Sequence, residues 1–419
     1  MTFESDLIET LMAPPPPEAL AMMRLSLFDW AACARAAVDE PVAQITRAMV
    51  LDEAGAPQAA LFGGGRAPAR AAALVNGATS HALDYDDTHF AHIGHPSVAV
   101  CPAAMAVGQS VGAQGAAILH AALIGAEASV RVGVWLGRGH YQIGFHQTAT
   151  AGCFGATLAA ARLLGCDAGQ TAHALGLATT RASGLKVQFG TMGKPYNAGI
   201  AAANGVESAL LARAGMTSRP DALSCDLGFG ATHHGAAVTV PDGWLFPQVS
   251  HKFHSCCHGL HAMLEALGEL RSTLHPDHVA RVEIDTHSRW LTVCNQAAPQ
   301  TGLGAKFSYR LTAALCLAGR STAAVATFSD AACTDPALVA LRDRVVVLGD
   351  DDLTETAARV RVVLQDGTVR TAFHDLAAPL DPGHRAAKLR AKAAALLGDA
   401  LADKLWQAVQ SDDLGQLIG

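Results

Sequence analysis

The chain has 419 residues, half of them hydrophobic, with 16% charged, 5% aromatic and a formal net charge of −7. That length exceeds the size at which a single core keeps growing, so two domains are expected. The apolar share excludes a disordered chain, and the acidic balance offers no basic face for nucleic acid. The acids and prolines of MTFESDLIETLMAPPPPEAL stand where a secretory signal has a basic start and an apolar run. No stretch reads clearly as a membrane span, and the ten cysteines follow no repeated spacing, as reduced thiols would. A soluble, cytoplasmic protein is the expectation.

Taken in chain order, residues 1 to about 245 read as helical. The prolines at 14–17 stop the chain before a helix through EALAMMRLSLFDWAACARAA, where Leu25, Phe28 and Ala32 share an apolar face. Helical periodicity, rich in Ala and Gly, recurs around 67–83, 101–137, 148–164, 168–182 and 196–214. Small residues on such helices let their axes approach closely, so a dense bundle is predicted. The character changes near residue 250. HVARVEIDTH (278–287) alternates as a strand, RVVVLGD (344–350) is a second, and ARVRVVLQDGTVRTAFH (358–374) reads as a hairpin around Asp366-Gly367. Between them AKFSYRLTAALCLAG and STAAVATFSD look helical, and the chain returns to helix after Asp381-Pro382. The predicted fold is mainly α with an α+β second domain: a helical domain of residues 1–250 and 380–419, and an α+β lid of residues 251–379.

Five segments carry chemistry. HALDYDDTHFAHIGHPSVAV (81–100) crowds acids and histidines together; on a helix His81, Asp84 and Thr88 would share one face, with His95 on a loop after Gly94. Carboxylates this close repel, so a cation, a donor or a proton is needed among them. Helix capping and metal ligation both remain open, although the i, i+4 histidine pair of a zincin, with its Glu, is missing. In GFHQTATAG (144–152), His146 lies between a turn and a helix start that Thr148 or Thr150 would cap. QFGTMGKPYNAG (188–199) fails as a phosphate loop, because Gln188 and Pro195 stand where Gly and Ser or Thr are required; Lys194 in a rigid loop suits a carboxylate instead. SHKFHSCCHGLHAML (250–264) offers Lys252 ahead of a helix N-terminus, an anion-binding arrangement, while its adjacent cysteines make a poor zinc site. GAKFSYRLTAA (304–314) adds Lys306, Ser308, Tyr309 and Arg310 at a helix start.

In this order, HALDYDDTHFAHIGHPSVAV, GFHQTATAG, FGTMGKPYNAG, HKFHSCCHGLHA and KFSYRLTAALCLAG strongly resemble the MmgE/PrpD family, over nearly the whole chain from about residue 20 to beyond 380. The family's branches dehydrate 2-methylcitrate, decarboxylate cis-aconitate or epimerise iminodisuccinate. The resemblance implies a large helical domain and a smaller α+β lid with the active site between them, a homodimer, and chemistry that needs no cofactor and no metal. Carried over by motif, Asp84, His95, His146 and Lys194 would be catalytic and Thr88 and Lys252 would bind substrate; Cys257 and Tyr309, at or near motif positions where this chain departs from the pattern, are also expected to bind substrate. The chain departs from the decarboxylase pattern at Cys257 (His there), at Leu311 (Tyr there, with Tyr309 two residues earlier), at Asn197 (often His) and at Gln147 (often Pro).

The branches share a carbanion or aci-carboxylate next to a carboxylate. Cations on the substrate's carboxylates and one or two proton carriers serve all three, which Lys194 and Lys252, with His95 and His146, would supply. The expected activity is a cofactor-independent lyase dehydrating a hydroxy di- or tricarboxylate such as 2-methylcitrate; epimerisation of an imino- or amino-dicarboxylate comes second and cis-aconitate-type decarboxylation third. Which group is acid and which base stays open in the sequence. The expected partners are the small-molecule polycarboxylate and a second copy of the chain, with no nucleic acid and no membrane.

Overall fold

The computed structural model describes residues 2–418. The chain forms two compact units, one running to His251 and resuming at Leu397, the other Lys252–Leu396.

The first unit is helical. Helix α1 (Pro17–Ala36) starts on a proline, whose missing N–H is no loss at that position, with Glu18 in its first turn. Its Phe28 and Trp30 are fully buried, Trp30 meeting Phe62 edge-on at 5.2 Å. Each such side chain contributes about 1.5–3 kcal/mol on burial. Helices α2 (Ala69–Ser80), α3 (Ser97–Val111), α4 (Gly115–Ile143), α5 (Gln147–Leu163) and α6 (Gly193–Arg213) follow. The single helix expected over 101–137 is two, because Gly112 turns left-handed at φ 68° and ends α3. Small residues let the axes close up: a Cβ on Gly77 would stand 2.8 Å from Gly199 Cα, and one on Gly199 2.4 Å from the Leu74 carbonyl. Helix α4 is long and apolar enough to cross a membrane, but 83% of its apolar window is buried inside the protein. Its apolar surface is consumed by the core.

The second unit holds helix α7 (His261–Arg271), strand β1 (Val279–Thr286), helix α8 (Tyr309–Leu317), strands β2 (Val345–Gly349), β3 (Ala357–Leu364) and β4 (Val369–Asp375), and helix α9 (Pro382–Leu397). The sheet order is β2-β1-β3-β4, with β1–β2 parallel and the other two pairs antiparallel. Alternation sets its two faces. Val282 and Ile284 with Val360 and Val362 join the core, while Glu283 faces Arg361 at 2.7 Å on the other side. The expected helix over 321–330 is instead a turn around a short 3₁₀ segment, Val325–Thr327. Thr322 and Thr327 are poor helix formers, and the Thr322 carbonyl accepts from Ser255 N–H, tying the strand of chain down elsewhere. Helix α9 up to Leu396 falls in this unit rather than with the helical one, its Lys388 pairing with Glu265 and lying over the Phe253 ring. All ten cysteines are free thiols.

Candidate active site

Helix α2 stops at Ser80, so His81, Asp84 and Thr88 do not share a helical face as the spacing suggested. The chain turns instead: Asp84 N–H donates to the His81 carbonyl at 3.1 Å, and Asp84 itself takes φ 51°. A non-glycine residue in the left-handed region costs of order 1–3 kcal/mol and persists only where its surroundings impose it. The loop is then closed by backbone pairs, Thr88 with Ser250 and His89 with Gly94, and by His95 N–H donating to Thr148 Oγ1 at 3.1 Å. Thr148 therefore receives a bond from the loop rather than capping α5, whose N-cap is His146.

Asp86 is the centre of this loop. Fully buried, it accepts from His81 Nδ1 at 2.8 Å on one oxygen and from His95 Nδ1 at 2.7 Å on the other. Burial alone would push its carboxyl up, but the charges and hydrogen bonds of His81 and His95 outweigh burial and hold it well below the usual carboxylate range. With both Nδ1 atoms donating, each ring carries its lone pair on Nε2 whenever it is neutral and is an imidazolium when Nε2 is protonated as well. The His95 Nε2 is 3.5 Å from Asp84 Oδ1; the His81 Nε2 is buried with no hydrogen-bond partner among the described residues. Asp87 is a different kind of acid. It takes Ser97 Oγ–H at 2.5 Å and Ser97 N–H at the start of α3, and burial, with Asp86 and Asp29 nearby, pushes it up to about 7.

Lys194 sits in the first turn of α6 rather than in a loop before it, with its Nζ 2.6 Å from Asp84 Oδ1 and 5.4 Å from the Phe189 ring centroid. Phe189 in turn meets the His146 ring edge-on at 5.0 Å, and His81 lies between the others, 4.6 Å from His95 and 6.1 Å from His146 by centroid. His146 is 2% exposed, and burial first, then Lys194 and the other two histidines, keeps it neutral well below the usual histidine range.

The proton on His146 can be located. Asn197 Nδ2 lies 3.3 Å from the Leu185 carbonyl, which only accepts, so that end of the amide is the NH₂. The same Nδ2 lies 3.2 Å from His146 Nδ1, which must then accept. The ring proton is on Nε2. The Leu185 strand approaches because Gly184, at φ 134°, leaves no Cβ; one there would stand 2.5 Å from Ala149 Cβ. His95 and His146 thus present opposite Nε2 atoms, one an acceptor and one a donor.

Ligand atoms of His81, Asp84, Asp86 and His95 lie within 4.8 Å of one another, a donor set that suits a divalent ion by type. Both Asp86 oxygens are already engaged by imidazole N–H groups, however, and the Lys194 ammonium supplies positive charge at Asp84. The cluster is compensated by its own side chains.

The family models for the MmgE/PrpD N-terminal domain and the MmgE/PrpD C-terminal domain match residues 7–239 and 254–414. The chain belongs to the MmgE/PrpD family. Among curated proteins it is similar to the cis-aconitate decarboxylase of Homo sapiens, 32% identical over 171 residues, covering 40% of this chain and 35% of that protein. The cis-aconitate decarboxylase of Aspergillus terreus is 28% identical over 291 residues, 64% of this chain and 59% of that one. The cis-aconitate decarboxylase-like protein oryM of Aspergillus oryzae is 31% identical over 233 residues, 50% and 48%. These matches span about a third to three-fifths of the relatives' own lengths.

In this MmgE/PrpD chain, Asp84, His95, His146 and Lys194 come together in the first unit, with Thr88 pinned beside them in the closing bridge to Ser250, its hydroxyl 3.4 Å from the Ser250 carbonyl. Lys252, Cys257 and Tyr309 belong to the second unit. Lys252 is buried there beside Cys256 and His261; burial pushes the Cys256 thiol up against the pull of Lys252, and burial first, with His258, His254 and Lys252 after it, brings His261 well down. Cys257 is half-buried against the core, its N–H donating to the Lys306 carbonyl. Tyr309 is fully buried, and its hydroxyl donates to the Gly259 carbonyl at 2.6 Å with Thr286 Oγ1 at 3.0 Å. Those are the surroundings of a packing residue. His81, Asp86 and Asn197 also join this cluster, and the sequence left their roles unassigned: nothing in the run of three acids says which one bridges histidines, and Asn197 stood out only as a departure from the family pattern.

Proposed function

We propose that this protein is a carbon–oxygen lyase that dehydrates a hydroxy di- or tricarboxylate, with His95 as the base and His146 as a neutral hydrogen-bond donor. The observation that carries the reading is the pair of ring contacts, Asp86 against His95 Nδ1 and Asn197 Nδ2 against His146 Nδ1, from which opposite tautomers follow. The His95 Nε2 lone pair takes the proton α to a carboxylate. Charge moves onto that carboxylate, where the Lys194 ammonium and the His146 Nε2–H stabilise the aci form. The imidazolium of His95, held between Asp86 and Asp84, then returns its proton to the departing hydroxyl. Alkene and water leave, and the protein is restored to its starting state.

Decarboxylation is the second reading, favoured by the names of the curated relatives. There His95 would enter protonated and deliver its proton to the carbon that loses CO₂, with the same donors holding the remaining carboxylate. The test is a panel of hydroxy- and unsaturated polycarboxylates followed by NMR in D₂O. Dehydration gives an alkene without CO₂, decarboxylation gives CO₂ and one solvent deuteron in the product, and epimerisation gives deuterium at a stereocentre of otherwise unchanged substrate. Turnover of no member of the panel, or full activity in His95→Gln, would sink the site assignment.

A further inference from the structure

The second unit contains a cavity of about 310 Å³ well separated in sequence from the histidine cluster, walled by α7, the turn at 320–323 and α9. Four cationic side chains, Arg271, Arg320, Lys388 and Lys392, line it against one carboxylate, Glu265. That carboxylate is already engaged: it pairs with Lys388, and His254 Nε2 is 3.2 Å away. Burial would raise the Glu265 carboxyl, but the His254 and Lys388 bonds and charges bring it down to about 2, so it stays ionised and tied to those partners. Arg271 has no carboxylate within ion-pair distance among the described residues, and Arg320 reaches Asp335 only at 3.9 Å. Thr322 adds a hydroxyl at 2.7 Å from His254 Nδ1, and Ser321 stands beside it on the wall.

An Arg271 guanidinium with no carboxylate partner among the described residues and an Arg320 held only at 3.9 Å by Asp335 attract anions on a concave wall, and their planar forks match the paired oxygens of carboxylate or phosphate. We infer that this cavity binds a small oxyanion carrying two or more negative charges, through Arg271 and Arg320 with Thr322 and Ser321 as hydrogen-bonding partners. The volume admits a molecule of roughly citrate size, at the lower end of ordinary ligand pockets.

Isothermal titration calorimetry with inorganic phosphate and, separately, with citrate tests this at constant ionic strength, on the full chain carrying Lys194→Ala so that anion binding at the histidine cluster is weakened. Saturable binding that weakens at least tenfold in Arg271→Gln/Arg320→Gln, and less in Arg320→Lys, is the expected result. Phosphate alone binding identifies a phosphate-type ligand; citrate binding more tightly identifies a polycarboxylate. Lys388→Met gives an independent arm: releasing Glu265 from its partner should weaken either anion even though Arg271 and Arg320 remain. Affinity unchanged in the double arginine variant, or no saturable binding at concentrations around 10 mM, overturns the inference.

Discussion

Replacing Asn197 by Asp tests the tautomer argument directly. In the protein Asn197 donates to His146 Nδ1 and to the Leu185 carbonyl, which leaves the ring proton on Nε2. A carboxylate at the same place accepts rather than donates, so the proton moves to Nδ1 and Nε2 changes from donor to acceptor. Loss of one donor aimed at developing charge costs about 2.7–4 kcal/mol, a fall of roughly 10²–10³ in kcat. Because the lost bond strengthens only in the transition state, KM should change little. Asn197→Leu removes the donor without installing an acceptor and costs only the net value of a hydrogen bond, about 1 kcal/mol or roughly fivefold. Steady-state kinetics on the turned-over polycarboxylate, with ¹⁵N NMR of the His146 ring, measures both. The order of activity should be wild type, then Leu, then Asp. A Leu variant worse than the Asp variant would mean that Asn197 acts only as a structural tie to Leu185. A wild-type ring protonated at Nδ1 would refute the reasoning outright.

Asp86→Asn presents an amide NH₂ to one of the two imidazole Nδ1 atoms and so forces that ring into the wrong tautomer; kcat should fall by about 10²–10⁴, the usual worth of a positioned acid–base group, and unchanged turnover contradicts the bridging role. Asp87 has a folded-state pKa raised to about 7, so the stability it contributes is fully present below its unfolded value near 4 and lost as pH rises through 7. Asp87→Asn removes that dependence, and the melting temperature of the variant relative to wild type should climb between pH 5 and pH 8; a flat or falling difference is the contrary result. Exhaustive chelation should leave turnover intact, since the ligand-type atoms near Asp86 are compensated by Lys194 and by one another; loss of activity restored by one divalent ion would replace this account with a metal-assisted one.

The sequence made the two-part architecture legible because each part announces itself through a different period. The strands at 279–286 and 357–364 alternate, those at 345–349 and 369–375 carry β-branched residues, and the hairpin turn at Asp366-Gly367 lies where the dipeptide put it. What periodicity could not show was where helices stop. Gly112 splits one expected helix through a single left-handed residue, and α2 ends at Ser80, four residues before Asp84 takes the same conformation without being a glycine. The site was half legible for the same reason. Asp84, His95, His146 and Lys194 are charged or titratable groups in unusual stretches, whereas the roles of Asp86 and Asn197 depend on which nitrogen of a ring they face. That is a property of the folded loop, not of spacing.

The opposite roles given to His95 by the two readings separate them without any isotope. If His95 removes a proton, the competent form is the neutral ring, and kcat rises with pH until His95 has lost its proton. If His95 delivers a proton to the carbon that loses CO₂, the competent form is the imidazolium, and kcat falls over that same interval. His146 does not blur this comparison, because burial and its cationic neighbours keep it neutral far below the usual histidine range, so it adds no limb near neutrality. The Lys194 Nζ lies against Asp84 Oδ1 at 2.6 Å. In an Asp87→Asn background, which removes the neighbouring carboxyl raised to about 7, a limb whose sign changes with the reaction and which disappears in His95→Gln therefore reads out the chemistry from the enzyme side. A rising limb supports dehydration, a falling one decarboxylation, and a profile that keeps its limb after His95 is replaced removes His95 from either mechanism.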